Sequence, residues 1–254
     1  MMVKKFFKLS NYINKTKDIL ELGLNKINNN RRKQISQFQN SQFNSLTVDL
    51  TSYLSELCFL GKKFGTDKSI LNTKTKYQHS YTGLYNILFL HQKDQPINIA
   101  EIGIYKNASI RMLREYFKNA HINGFENDYK LIERAKKFNL RKTNYYKIDV
   151  RDPNNIKMAF KHANRKYDII IDDSTHEFED QINIIQNTRQ FLKGGGYLII
   201  EDIFTKKNMY NEKNYYEKLK KIKLEFSDIV FIKCNHKYNY AGFWHNHKIL
   251  CLRK

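Results

Sequence analysis

The chain is poor in proline, with two residues in 254, in glycine, with ten, and in cysteine, with three. Cys58, Cys234 and Cys251 form no Cys-x-x-Cys pair, and their odd number argues against a disulfide framework, so they are expected as small buried apolar groups in a reducing compartment. There is no run of about 18 apolar residues, which excludes an ordinary transmembrane helix. The first fifteen residues, MMVKKFFKLSNYINK, hold no sustained apolar stretch and no small-residue cleavage site. A soluble cytoplasmic protein is expected. Acidic residues are also few, with 25 Asp and Glu against 45 Lys and Arg, for a formal charge of +20.

Such an excess attracts phosphates and raises nucleic acid or an anionic membrane as partners. The composition points another way. Lys, Asn, Ile and Tyr are abundant where Pro and Gly are scarce, a joint bias that AT-rich codons produce without selection for a ligand. The excess charge is therefore read as solvated surface. Its steepest part is the amino-terminal 45 residues, where nine Lys or Arg (4, 5, 8, 15, 17, 26, 31, 32 and 33) face only Asp18 and Glu21. Residues 25–45 are polar without periodicity, so residues 1–45 are expected as a basic, partly helical, loosely ordered extension and residues 46–254 as one catalytic domain.

From Val48 to Phe64 the apolar positions recur at three and four, which predicts a helix with one buried stripe, and a second helix is expected over 81–91. After Pro96, short β-rich runs at 97–102, 122–126, 144–149, 167–172 and 196–201 are separated by helical lengths at 108–118, 129–138, 153–164 and 178–192. The runs are too apolar for a solvent-washed face and read as central parallel strands. The last helix is expected to end before Gly194-Gly195-Gly196, with glycine as its left-handed cap. A helix at 212–224 and strands at 228–233 and 248–253 complete the pattern. The segment between these two strands has no helical periodicity, so the last strand is expected to return antiparallel. The fold class is α/β, a Rossmann-like doubly wound seven-stranded sheet.

In such a sheet, ligands bind at the carboxyl ends of the strands, at the switch in strand order. The first of these runs ends in Glu101-Ile102-Gly103, and a turn with a single glycine leads to Ser109 and a helix. A dinucleotide loop needs Gly-x-Gly-x-x-Gly, which argues against NAD. Asn107 stands where a glycine would be convenient and can itself take a positive φ. Glu126 ends the next strand, where a carboxylate accepts the protons of ribose hydroxyls, or else serves as a surface or capping group. Asp128 is expected as a helix cap. Asp149 is placed either to face an adenine amine or to hold its own turn.

The strongest constellation is Asp172-Asp173-Ser174-Thr175-His176 after one strand and Glu201-Asp202 after the next. Several carboxylates in one cleft repel and call for a cation, and hard oxygen ligands suit Mg²⁺ or another divalent cation better than zinc. Asp173, Glu201 and Asp202 are assigned as ligands and His176 as the base. The alternative is that Asp172 or Asp173 caps the following helix while His176 is a surface loop residue. His245 and His247 lie two apart on one strand face, but with no further ligand nearby in sequence they are read as structural.

Taken together, Gly65-Thr66-Asp67-Lys68, His79-Ser80-Tyr81, Glu101-Ile102-Gly103 with Ser109, Asp172-Asp173-Ser174-Thr175-His176 and Gly194-Gly195-Gly196 followed by Glu201-Asp202 resemble the macrocin and mycinamicin sugar O-methyltransferases, related to cephalosporin hydroxylase-like proteins. The resemblance spans residues 61–203. It implies a class I S-adenosylmethionine-dependent O-methyltransferase, with Mg²⁺ on Asp173, Glu201 and Asp202 and His176 as base; the strand-end residues Glu101, Gly103, Ser109, Glu126, Asp149 and Asp172 are assigned to the cofactor. This chain departs from the family at Asn107 and Ser174, where glycines are usual, so loop geometry is the point at issue. A sugar or glycan acceptor is expected, with contacts from Asp67, His79, Tyr81, Phe204, Tyr240 and Trp244, and a homo-oligomer is expected by the same resemblance. The competing readings are an RNA or DNA methyltransferase, motivated by the charge, and a catalytically silent binding protein on the same fold. Against the first, the place where amino-methylating enzymes carry Asn-Pro-Pro-Tyr holds Asp172-Asp173-Ser174-Thr175.

Overall fold

The structure, a computed structural model, describes residues 43–204, 212–240 and 247–254. The expected extension of residues 1–45 lies outside them except for its last three residues. Strand β1 (Asn44–Asp49) precedes helices α1 (Glu56–Phe64) and α2 (Tyr81–Phe89). Alternation follows: β2 (Asn98–Ile102), α3 (Ala108–Tyr116), β3 (His121–Glu126), α4 (Tyr129–Lys136), β4 (Thr143–Lys147), α5 (Pro153–Ala163), β5 (Tyr167–Asp172), α6 (Phe178–Thr188) and β6 (Leu192–Ile200). Helix α7 (Glu212–Leu219) and strands β7 (Asp228–Asn235) and β8 (Lys248–Arg253) follow.

The strands form one sheet in the order β1-β7-β8-β6-β5-β2-β3-β4. Every pairing is parallel except those of β8, which runs antiparallel to both β6 and β7. The chain proceeds outward from β2 to β3 and β4, then crosses to β5 on the other side of β2. The switch in order therefore lies between β2 and β5, where a crevice opens above the strand ends.

Alternating side chains along each strand feed two apolar layers. Ala100, Ile102, Phe125, Ile170, Leu198 and Ile200 pack against α5, α6 and α7 through Phe160, Ile182, Ile185 and Tyr215. On the other face, Ile99, Ile122, Ile169, Ile171 and Ile199 pack against α1, α2 and α3 through Leu57, Leu84, Tyr85, Ile110 and Tyr116. The three cysteines are free and buried. Among the described residues no helix is long and apolar enough to cross a membrane.

The structure departs from expectation in two places. The segment expected as one helix over 48–64 is split: β1 joins the sheet as an eighth strand, parallel to β7 from Asn44↔Val230 to Asp49↔Asn235, and the helix begins only at Glu56. Leu46, Val48 and Leu50 alternate while later positions step by three and four, so two periods overlap in one apolar run. The triple glycine is no helix cap. Helix α6 stops at Thr188, a 3₁₀ turn covers Arg189–Phe191, and Gly194 to Gly196 lie inside β6. Gly195, at φ +77°, donates its N–H to the Lys254 carbonyl at 2.7 Å, and the β5–β6 register shifts beside it, so the glycines absorb an irregularity in the strand.

Candidate active site

A cleft of about 660 Å³ opens above the carboxyl ends of β2 to β5, lined by the loop after α1 and by the turns that follow these four strands. The first turn is shaped by three left-handed residues, Gly103 (φ +84°), Tyr105 (φ +44°) and Asn107 (φ +66°). Asn107 adopts the positive φ anticipated for it, and its amide donates to the Tyr145 hydroxyl at 2.9 Å. Gly103 is required for a reason the sequence did not show. A Cβ there would sit 2.2 Å from the Asp173 carbonyl, so the turn after β5 crosses directly over it.

Glu126 closes the same turn. Its Oε2 accepts the Tyr105 N–H at 3.0 Å, and its Oε1 accepts those of Asn127 and Asp128 at 2.7 and 3.0 Å, so the carboxylate is fixed at the cleft wall. Asp128 caps α4 by accepting the Lys130 N–H at 2.7 Å. Asp149 also lines the cleft, but both its oxygens are engaged by Arg151, whose Nε and Nη2 each donate at 2.9 Å and lower its pKa. Ile104, Leu131, Ile148 and Val150 supply the apolar wall.

Glu101 and Asp172 differ from expectation, since both lie beneath the cleft and neither lines it. Asp172 folds back on its own turn, accepting from Ser174 N–H and Oγ at 3.2 and 2.6 Å. Burial pushes its carboxyl up to about 7. Glu101 points into the α1/α2 layer beside Lys68 and Ser109, and burial pushes it up to about 7 as well, against the pull of Lys68 and the Ser109 hydroxyl. Ser109 lines the cleft above it.

The parallel register Asp172↔Ile200 brings the two acidic pairs side by side. Asp173, His176 and Asp202 each present an atom to a common point, all within 4.8 Å of one another. His176 Nε2 stands 3.8 Å from Asp173 Oδ1 and 3.7 Å from Asp202 Oδ2, and its buried Nδ1 makes no hydrogen bond. His176 (φ +58°) and Asp202 (φ +56°) are both left-handed, a backbone cost of order 1–3 kcal/mol each that the surrounding packing holds in place. Neither Asp172 nor Asp173 caps α6. Its cap position is Glu177, and Thr175 instead donates to Asp180 at 2.6 Å.

Glu201 does not join the triad. Its Oε2 lies 2.6 Å from Lys68 Nζ and its Oε1 accepts from the Tyr85 hydroxyl. Lys68 also donates to Asp173 Oδ2 and lies 3.7 Å from Glu101 Oε1. Local sequence gives Lys68 no role beyond its place in the Gly65-Thr66-Asp67-Lys68 motif. Burial works to depress its ammonium pKa, but the carboxylates of Asp173, Glu201, Glu101 and Asp67 prevail and hold it well above the usual lysine range. A buried lysine beside an aspartate in a polar loop is a weak signal, since nothing local reveals that both face inward.

Of the expected acceptor residues, Asp67 lines the cleft. His79 and Tyr81 are buried and support Asp202 from below: the Tyr81 hydroxyl donates to Oδ1 at 2.7 Å, and the His79 ring stacks on Tyr81 at 4.9 Å. Their place is thus beneath the triad and away from the cleft. Burial works to raise the Asp202 pKa, but His79, His176 and the Tyr81 hydrogen bond outweigh it and hold it below the ordinary value. His247, read as structural, lies with Nδ1 3.2 Å from His79 Nδ1. Phe204 is buried edge-on to the His176 ring at 6.2 Å. Tyr240 is exposed and its backbone pairs with Gln78. Trp244 lies outside the described residues.

The sheet is doubly wound, with an antiparallel strand beside β6 and a cleft at the switch point that carries no dinucleotide loop. The chain belongs to the methyltransferase domain family, whose pattern matches residues 107–243, more than half of its length. It is 26% identical over 135 residues to the 8-demethyl-8-(2-methoxy-alpha-L-rhamnosyl)-tetracenomycin-C 3'-O-methyltransferase of Streptomyces olivaceus, a match covering 50% of this chain and 33% of that protein. Among solved structures it resembles the MycE methyltransferase of the mycinamycin biosynthetic pathway in complex with Mg, SAH and mycinamycin VI. The TM-score is 0.58 at 16% identity, over 78% of this chain and 54% of that one. A second crystal form of MycE with Mg and SAH gives 0.58 at 18% identity, over 80% and 54%. The chain thus spans a third of the length of the curated relative it matches and about half that of MycE.

Proposed function

We propose that the chain is an S-adenosylmethionine-dependent O-methyltransferase that methylates a hydroxyl of a sugar or glycan beside a divalent cation. The carrying observation is the convergence of Asp173, Asp202 and His176 at the edge of a cleft whose opposite wall holds the fixed Glu126 carboxylate. The relatives' own activities lend support, one acting on a rhamnosyl group and another solved with Mg and SAH.

The residues fit both groups. Glu126 stands where ribose hydroxyls donate, Leu131, Ile148 and Val150 form an apolar face for an adenine ring, and Ser109 lines the same cleft. Asp173 and Asp202 supply hard oxygens for a cation such as Mg²⁺. When bound, the cofactor supplies an electrophilic methyl group and the cation lowers the pKa of a neighbouring hydroxyl.

The chain's own work is alignment and proton removal. His176 Nε2 faces the carboxylate oxygens and is placed to take the proton of an acceptor hydroxyl held there. Asp202, held by Tyr81 and His79, stabilises the imidazolium that results. Phe204 packs edge-on against the imidazole and limits its rotation.

Substituting His176→Ala should lower turnover by about 10²–10⁴-fold, the worth of a positioned base, while S-adenosylmethionine affinity measured by calorimetry stays within a few-fold. Unchanged turnover would remove the base assignment. A methyl-transfer screen over glycans, nucleotide sugars and phenols with Mg²⁺ tests the acceptor class. Full activity in excess EDTA would favour a metal-free transferase.

A further inference from the structure

Taking the cation reading above as its premise, we propose that Lys68 is a built-in counter-ion that divides the acidic floor. It claims Glu101, Glu201 and one oxygen of Asp173, and leaves the other oxygen of Asp173, with Asp202, to the divalent cation. Glu201 is thereby a partner of Lys68 and not a metal ligand.

The argument is geometric. Four carboxylates from β2, β5 and β6 meet in one buried region, and their mutual repulsion has to be compensated. Lys68 enters from the loop after α1 with its side chain 2% exposed, and its ammonium contacts Asp173 Oδ2 and Glu201 Oε2, with Glu101 3.7 Å away. The ammonium donates to two of these carboxylates, Asp173 and Glu201, and the third, Glu101, lies within ion-pairing distance. The remaining Glu201 oxygen accepts from Tyr85, so neither oxygen is left facing the triad.

Asp173 is the shared element. Its Oδ2 turns to Lys68 and its Oδ1 to His176, so one carboxylate joins the permanent cation to the exchangeable one. Asp202 belongs wholly to the second half, held by Tyr81 and facing His176. Lys68 is thus a positioning residue. It sets the ligand count of the site by removing Glu201 from it.

The test measures Mn²⁺ binding to the full chain by calorimetry, and melting temperature with and without Mg²⁺. Lys68→Met should bind Mn²⁺ at least about tenfold more tightly or take a second equivalent, because added carboxylate ligands raise affinity for a hard cation. Its melting temperature should rise with Mg²⁺ more than that of the wild type. Lys68→Arg, which keeps the charge, should behave as the wild type. Glu201→Gln should retain Mn²⁺ affinity within about threefold while Asp202→Asn loses at least about tenfold, the lower end for a lost site group.

Wild-type stoichiometry and affinity in Lys68→Met, or a Glu201→Gln loss equal to that of Asp202→Asn, overturns the proposal. If Lys68→Met does not fold alone, refolding with Mn²⁺ followed by circular dichroism decides: recovery supports the counter-ion role, and failure while Lys68→Arg folds overturns it. No Mn²⁺ binding by the wild type sinks the cation reading and the division that rests on it, whereas wild-type Mn²⁺ binding with an unaltered Lys68→Met sinks the division alone.

Discussion

Gly103 shows how one missing methyl group links two loops. Its φ of +84° already disfavours any L side chain, and a Cβ would fall 2.2 Å from the Asp173 carbonyl. Gly103→Ala is expected to destabilise the fold by about 2 kcal/mol or more, the cost of a left-handed non-glycine residue plus displaced backbone. Urea unfolding reads the stability, and because the displaced atom precedes Ser174, S-adenosylmethionine affinity should fall with it. A variant as stable as wild type would show that the two turns do not press on each other. His176 and Asp202 carry the same backbone signature without glycine, and their side chains are the ones that converge.

Helices place the site's support at fixed intervals. On α2, Tyr81 and Tyr85 lie four residues apart on one face, so their hydroxyls reach Asp202 and Glu201, neighbours at the end of β6. Burial and the adjoining carboxylates raise both phenol pKa values well above the ordinary range, so both remain donors. Helix α4 begins at the cap made by Asp128, next to Glu126 on the cleft wall. Asp128→Ala should lower stability by about 1 kcal/mol, the usual worth of such a cap. A thermal melt checks the stability, and a loss of S-adenosylmethionine affinity larger than the stability change would show that the cap also sets the position of Glu126.

At the scale of the whole molecule, buried ionisable groups tie stability to pH. The Glu101 carboxyl titrates at about 7 in the folded protein against an ordinary 4.5, so the folded state holds a proton that the unfolded chain releases. Its contribution is complete below the unfolded value and is lost as pH rises through the folded one. Glu101→Gln should therefore flatten the fall in unfolding free energy between about pH 4.5 and 7, by up to about 3 kcal/mol. Denaturant titrations at several pH values test this, and an unchanged slope would assign the pH dependence elsewhere.

The order of strands and helices after Pro96, the antiparallel return of β8 and the acidic pairs at the ends of β5 and β6 were all legible along the chain, because local periodicity and turn chemistry encode them. β1 was not, since its alternation overlaps the helical spacing that follows. The three glycines read as a cap became part of β6, because strand pairing with β5 and β8 outweighed a local preference. Which carboxylates face the Lys68 ammonium was likewise hidden. Asp173, Glu201 and Lys68 are far apart in sequence, and their pairing depends on side-chain directions that only the packing of α1 and α2 against the sheet decides. Sequence alone determined which chemical groups reach the carboxyl edge of the sheet; tertiary packing decided how they are shared there, because electrostatic pairing depends on distances of a few ångströms that periodicity does not carry.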